Sequence, residues 1–161
     1  IQAKLLLEKQ PPGSQDRELI KSLLIIATLL SQLEEQTLAI ATGLAEISQP
    51  YFSQMPEFLE EFASQVQETI NRSISYFYMR TTLGGKQLVQ AENQASELYR
   101  KVLQQLFEDT ASEQGEEQGK EAALKKALSW LEIVRRIERL CDIAVILAAN
   151  GQFMGKHLLS W

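Results

Sequence analysis

Apolar residues recur at three- and four-residue spacing along almost the whole chain, and no stretch alternates at every second position for long enough to form a strand. Between Asp16 and about Ser48 the series Leu19, Leu23, Ile26, Ala27, Leu30, Leu38, Ala41 and Leu44 predicts a long amphipathic helix. Phe58, Leu59, Phe62, Val66, Ile70, Ile74 and Phe77 form a second series. Leu88, Val89, Ala95, Leu98, Val102 and Leu106 form a third, on a helix expected from about Lys86 to Glu108. A last helix, expected from about Glu121 to Asn150, carries Leu128, Leu131 and Val134, with Trp130 on the same apolar side and expected in the core. Leu30, Leu128, Leu131 and Val134 are the positions expected to be buried. The fold class is all-α.

The breaks between these series have their own chemistry. The first nine residues read as the end of a helix that Pro11, Pro12 and Gly13 stop, and Ser14 can cap the next one, with Asp16 and Glu18 in its acid-favouring first turn. "SQPYFSQMP" breaks the chain again, and Pro56 suits the first turn of the next helix. A stop or kink is expected around Thr81 to Gly85, a polar loop at "SEQGEEQG", and a C-cap at Gly151. Laid over one another, "LIKSLLIIATLLSQLEEQTLAIA" and "AALKKALSWLEIVRRIERLCDIAV" place Lys21 on Lys125, Leu24 on Leu128 and Glu34 on Glu138, a constant offset of 104 residues. That offset is the length of one three-helix unit with its loops, so a weak internal repeat is expected.

Composition narrows the function classes. With 161 residues, 45% hydrophobic and 23% charged, the chain can bury a sizeable core. A formal net charge of -5 and the absence of a basic stripe argue against nucleic acid as a partner. The single cysteine, Cys141, sits in an apolar stretch and reads as a small buried hydrophobe, which fits a reducing, cytoplasmic setting. The longest apolar runs, Leu23 to Leu30 and Ile143 to Ala149, fall well short of the ~20 residues a bilayer requires, so no transmembrane helix is expected. The first residues lack the features of a leader and do not begin with Met, and read as a chain whose start is missing.

Candidate chemistry centres on "RRIERLCDIAV". Glu138 and Asp142 stand one helical turn apart on one face, so each raises the cost of ionising the other unless a cation lies beside them. Arg135 and Arg139, each three residues ahead of an acid, are the nearest candidates and rank ahead of a metal ion, and the acidic edge is also a natural docking point for a partner's Arg or Lys. The two acids are expected at a solvent-reachable edge of the apolar stripe. His157 is the only histidine and is expected in a solvated tail, so a histidine-rich metal or acid/base site is excluded. "TTLGGK" lacks the phosphate-loop spacing, and no Glu-x-x-His pairs exist for a di-iron centre. No enzyme is expected.

"RRIERLCDIAVILAANG" resembles the "LERIGDHAxNIAE" signature of the PhoU phosphate-uptake regulators, whose members look like tandem three-helix bundles. The N-terminal "LLLEKQPPGSQDRELIKSLLIIATLLSQLEEQ" is similar to the junction of helices two and three in that family's first repeat, and "LVQAENQASELYRKVL" to its second-helix segment. The resemblance implies that residues 1–50 end a first repeat, incomplete here, and that 51–161 form a second repeat with a C-terminal tail. It implies a regulator of phosphate uptake and phosphate-starvation signalling that contacts the ATPase of a phosphate ABC transporter and a sensor histidine kinase, peripheral to the membrane through those partners. Alternatives are a PhoU-like module of a sodium/phosphate or potassium transporter and, in another class, a metal-storage bundle. A homodimer stays open. In the family, paired acids on several helices resemble a surface iron or zinc site. Glu138 and Asp142 keep that pair, whereas Glu34 is followed by Leu38, Glu92 by Ser96, and Thr81 replaces a further Asp, so no tightly bound cluster and no cofactor are expected. Glu138, Asp142, Glu34 and Glu92 are the candidate partner-binding or metal residues, with Arg135 and Arg139 as ion-pair support.

Overall fold

The computed structural model describes residues 8–11, 13–47, 57–79, 85–112 and 117–158, and among them every regular element is a helix. We number them α1 (Gln15–Glu46), α2 (Glu57–Met79), α3 (Gly85–Ser112) and α4 (Glu117–Leu158). Glu8 and Lys9 are helical ahead of α1, and Gly13 turns the chain with φ 78°, a conformation that suits glycine. Ser14 caps α1: its Oγ accepts from the Arg17 N–H at 3.3 Å. The breaks expected at 48–56 and 81–84, including Pro56 and Thr81, lie outside the described residues.

The last helix is longer than its sequence pattern predicts. It is already helical at Glu117, within the expected polar loop, and continues through Gly151 to Leu158. His157 therefore lies in the helix rather than in a tail, and Gly151 is not its cap. A Cβ at residue 151 would stand 3.0 Å from Phe77 Cα and 2.5 Å from Cδ2 of its ring. Glycine is there because α2 and α4 approach too closely for a side chain.

α2, α3 and α4 form a three-helix bundle, and α1 packs against α4 alone. Phe77 meets Gly151 at one end and Leu59 shares a core with Trp130 at the other, so α2 and α4 run parallel with α3 antiparallel between them. The main core joins Leu59, Phe62, Val66, Val102, Trp130 and Val134. Thr69 and Ser73 enter this interior because each hydroxyl donates back to its own helix, to the Gln65 and Thr69 carbonyls at 2.9 and 2.8 Å. A second cluster, Ile26, Leu29, Ile143 and Leu147, joins α1 to α4. α1 is antiparallel to α4: a Cβ at Gly43 would lie 3.3 Å from Ile133 Cγ1, while Leu29 packs with Leu147 further along. The 104-residue offset turns Leu29 into Ile133 and Gly43 into Leu147, so each of these contacts maps onto the other.

Three burial expectations need correction. Val134 is fully buried and Leu131 half-buried, but Leu30 and Leu128 are exposed at 52% and 53%. Val89 is exposed as well, although Leu88 beside it is core. On α1 the face against α4 is Ser22, Ile26 and Leu29, not the Leu23–Ala27–Leu30 face. α1 is apolar on two sides, so its periodicity alone does not select which side packs. The expectation that no helix could span a membrane also needs amending: by length and composition α1 is long and apolar enough, though this measure ignores its packing on α4. Counting unbroken apolar runs misses it, because its apolar residues are interleaved with Ser and Thr.

Candidate functional site

Glu138 and Asp142 project from α4 on its α3 side, both half-buried beside the core residue Cys141. Burial holds the Glu138 carboxyl above its ordinary range and Asp142 adds to this, while Arg135 and Arg139 pull the other way. Asp142 is also raised by burial and opposed by Arg139, whose Nη1 lies 3.7 Å from Asp142 Oδ2. The expected Arg139–Asp142 pair thus forms, loosely. Arg135 acts on Glu138 through space without a close ion pair.

The opposing wall comes from α3. Tyr99 on this helix has its phenol pushed up, first by burial and then by the Glu138 charge, with Arg135 opposing. Cys141 is pushed up to about 12 by burial first; Asp142, Glu92 and Glu138 add to this, and a hydrogen bond with Thr69 opposes it. Glu92, Glu138 and Asp142 therefore all bear on one thiol, which stays protonated and unreactive at neutral pH. Tyr99 belongs to this edge although the sequence pattern does not mark it as a site residue; its place in "ELYRK", on the apolar side of α3, is the available signal.

Glu34 does not join them. It is exposed on α1, which does not pack on α3. Arg136 Nη1 donates to Gln36 Oε1 at 3.3 Å, marking the side of α4 that receives α1. Glu138, two residues on, is turned about 200° away from it. Among the described residues no group of three His, Cys, Asp or Glu side chains converges. What the edge offers is negative charge held partly out of water, which a cationic side chain from another molecule would relieve.

The family model described as PhoU domain matches residues 59–150, more than half of the chain. The chain belongs to the PhoU family. The PhoU match runs from Leu59, the first buried residue of α2, to Asn150 on α4, and so includes Glu92, Tyr99, Glu138 and Asp142. α1, with Glu34, lies outside it. Neither curated proteins nor solved structures give a match. PhoU domains are regulatory and tied to phosphate transport, and the helical bundle found here accords with that family.

Proposed function

We propose that this PhoU-family chain is a cytoplasmic regulator that restrains phosphate uptake and phosphate-starvation signalling without catalysis of its own, by contacting a phosphate ABC transporter's ATPase and a sensor histidine kinase. The supporting observation is the PhoU match over a bundle whose α3–α4 edge holds Glu138 and Asp142 half-buried and charge-strained. On this reading Arg or Lys from the partner completes the edge. α1 is the closing helix of a first repeat within residues 1–50, and residues 51–161 form the second. The test is removal of the gene from its native host, followed by phosphate uptake and a phosphate-starvation reporter measured in phosphate-rich medium. Both should rise, and the wild-type gene should restore them while the Glu138→Gln, Asp142→Asn double variant does not. An unchanged reporter and unchanged uptake would reject the reading.

A second reading, a PhoU-like module serving a sodium/phosphate or potassium transporter, draws on the apolar length of α1 and its largely exposed surface. A deletion that alters potassium or sodium-coupled flux, leaving the starvation reporter untouched, would select it.

A further inference from the structure

Three large apolar side chains face water at the end of the bundle where α3 stops and α4 starts: Phe107 at 61%, Leu124 at 51% and Leu128 at 53%. All three lie within the PhoU match, on a bundle that α2, α3 and α4 complete among themselves. Helices of a first repeat would build on α1, so their absence does not account for this exposure. Nor does α1 cover the patch. The approach of Gly43 to Ile133 and the contact of Leu29 with Leu147 fix the register of α1 on α4, which sets Ile47, just past the end of α1, level with about Ser129. Leu124 lies beyond that point and is turned about 120° from Arg136, which marks the side that receives α1; Leu128 borders the groove along α1. Tyr99 faces Glu138 and Arg135 across the seam between α3 and α4. The two helices are antiparallel, so Phe107, two turns after Tyr99, is level with about Leu128, two turns before Arg135. Half-buried Leu103 and Leu131 continue the patch by a turn on each helix.

The charges around Leu128 are arranged so that this surface complements itself. Within two turns on either side, Glu121 and Lys125 precede it and Glu132 and Arg135 follow it, all four exposed. They lie within about 80° of one another around the helix, with Leu128 among them, whereas Lys126 is turned about 160° from Leu128. Read backwards, the order acid, base, acid, base becomes base, acid, base, acid. Two copies of α4 laid antiparallel about Leu128 therefore set Glu121 against Arg135 and Lys125 against Glu132, each pair occurring twice. Among the described residues Glu121, Lys125 and Arg135 close no ion pair, while Glu132 holds Arg136 at 2.6 Å. The same twofold sets Leu128, and Phe107 level with it, against their own counterparts, which gives an apolar centre inside a charged rim.

We propose that this patch on α3 and α4 joins two copies of the chain in an antiparallel, twofold-symmetric dimer centred on Leu128. The proposal goes beyond the regulator reading and does not depend on it, since it would hold for a bundle of any function. The test is sedimentation velocity of the purified full chain over a concentration series, with helicity and the urea midpoint of each variant checking that it folds. The wild type should sediment as monomer and dimer in equilibrium. Leu128→Arg should raise the dimer Kd about tenfold or more, as loss of a central contact does. Glu121→Arg and Arg135→Glu should each raise it about threefold or more, because opposite charges become like charges on both sides of the axis. Combined, the two exchanges restore the pairing, and the Kd should return to within about twofold of the wild type. Leu30→Gln, on the exposed face of α1, should leave it unchanged. A chain that stays monomeric up to about 100 μM would overturn the proposal, since association at the micromolar level would show there. A dimer that Leu30→Gln dissolves and Leu128→Arg spares would do so too, because the copies would then meet through α1. A combined variant weaker than either single exchange would reject the antiparallel pairing. Monomer binding to phosphatidylcholine vesicles, abolished by Leu128→Arg, would give the patch to a lipid surface instead.

Discussion

One methyl group at residue 151 tests how tightly α2 and α4 meet. Gly151→Ala would put a carbon 3.0 Å from the Phe77 backbone, and backbone cannot swing aside as a side-chain tip does. The expected cost is about 1–3 kcal/mol, the range for overpacking, despite alanine's better helix propensity. A urea midpoint unchanged or raised would show that the helices yield there. Phe62→Ala, a change at a fully buried ring, should cost ~3–5 kcal/mol, whereas Leu30→Ala should stay within about 0.5 kcal/mol. The carboxylates at 138 and 142 give a pH prediction. Both titrate above their ordinary range in the folded protein, whereas the unfolded chain restores ordinary values. As pH rises through the interval between the two, the unfolded chain has lost protons that the folded protein still holds, so stability falls as pH rises there. Denaturation midpoints taken from about pH 4 to pH 7 should therefore decline less steeply for Glu138→Gln with Asp142→Asn than for the wild type. The sequence shows that strain directly, because two acids at i and i+4 on an apolar stripe share one face. It does not show that Tyr99 forms the opposite wall, since that contact joins separate helices. Nor does it show that Gly151 is a contact point rather than a cap: near the end of an apolar pattern both roles use the same residue.

At the scale of the element, α1 stands apart. The other three helices each pack on two or more neighbours, but α1 packs on α4 alone, through a narrow line of Ser22, Ile26 and Leu29 extended by half-buried Leu33 and Ile40. Amide exchange should thus open α1 at lower free energy than the buried stretches of α2 and α4. Protection of Ile26 and Leu29 equal to that of Val66 and Val134 would contradict this. Its Ser14 cap should contribute about 1 kcal/mol, read as a loss of that size for Ser14→Ala if α1 unfolds with the rest, and as earlier exchange in α1 alone if it does not. Helix existence is legible everywhere because a 3.6-residue period is local. The face of α1 is not, because Leu23, Ala27 and Leu30 satisfy that period as well as Ser22, Ile26 and Leu29 do. A buried serine, whose neighbours rather than its own polarity decide its place, gives no signal in the pattern.

For the molecule as a whole, α4 is the shared member: it packs on α1, α2 and α3. Its 42 residues make a rod of about 63 Å at 1.5 Å each. Along two of its turns, Ile137 and Leu140 line the open groove between α1 and α2 while Glu138 and Asp142 hold the acidic edge. The two surfaces thus interleave residue by residue on one rigid body. Thermodynamics then ties whatever binds them. A molecule on the acidic edge that rolls α4 even slightly would change how α1 and α2 sit across it, and the free energy it spends there is returned by any contact that prefers the new spacing. Two partners would not need to touch, or to compete for the same atoms, to sense each other's presence.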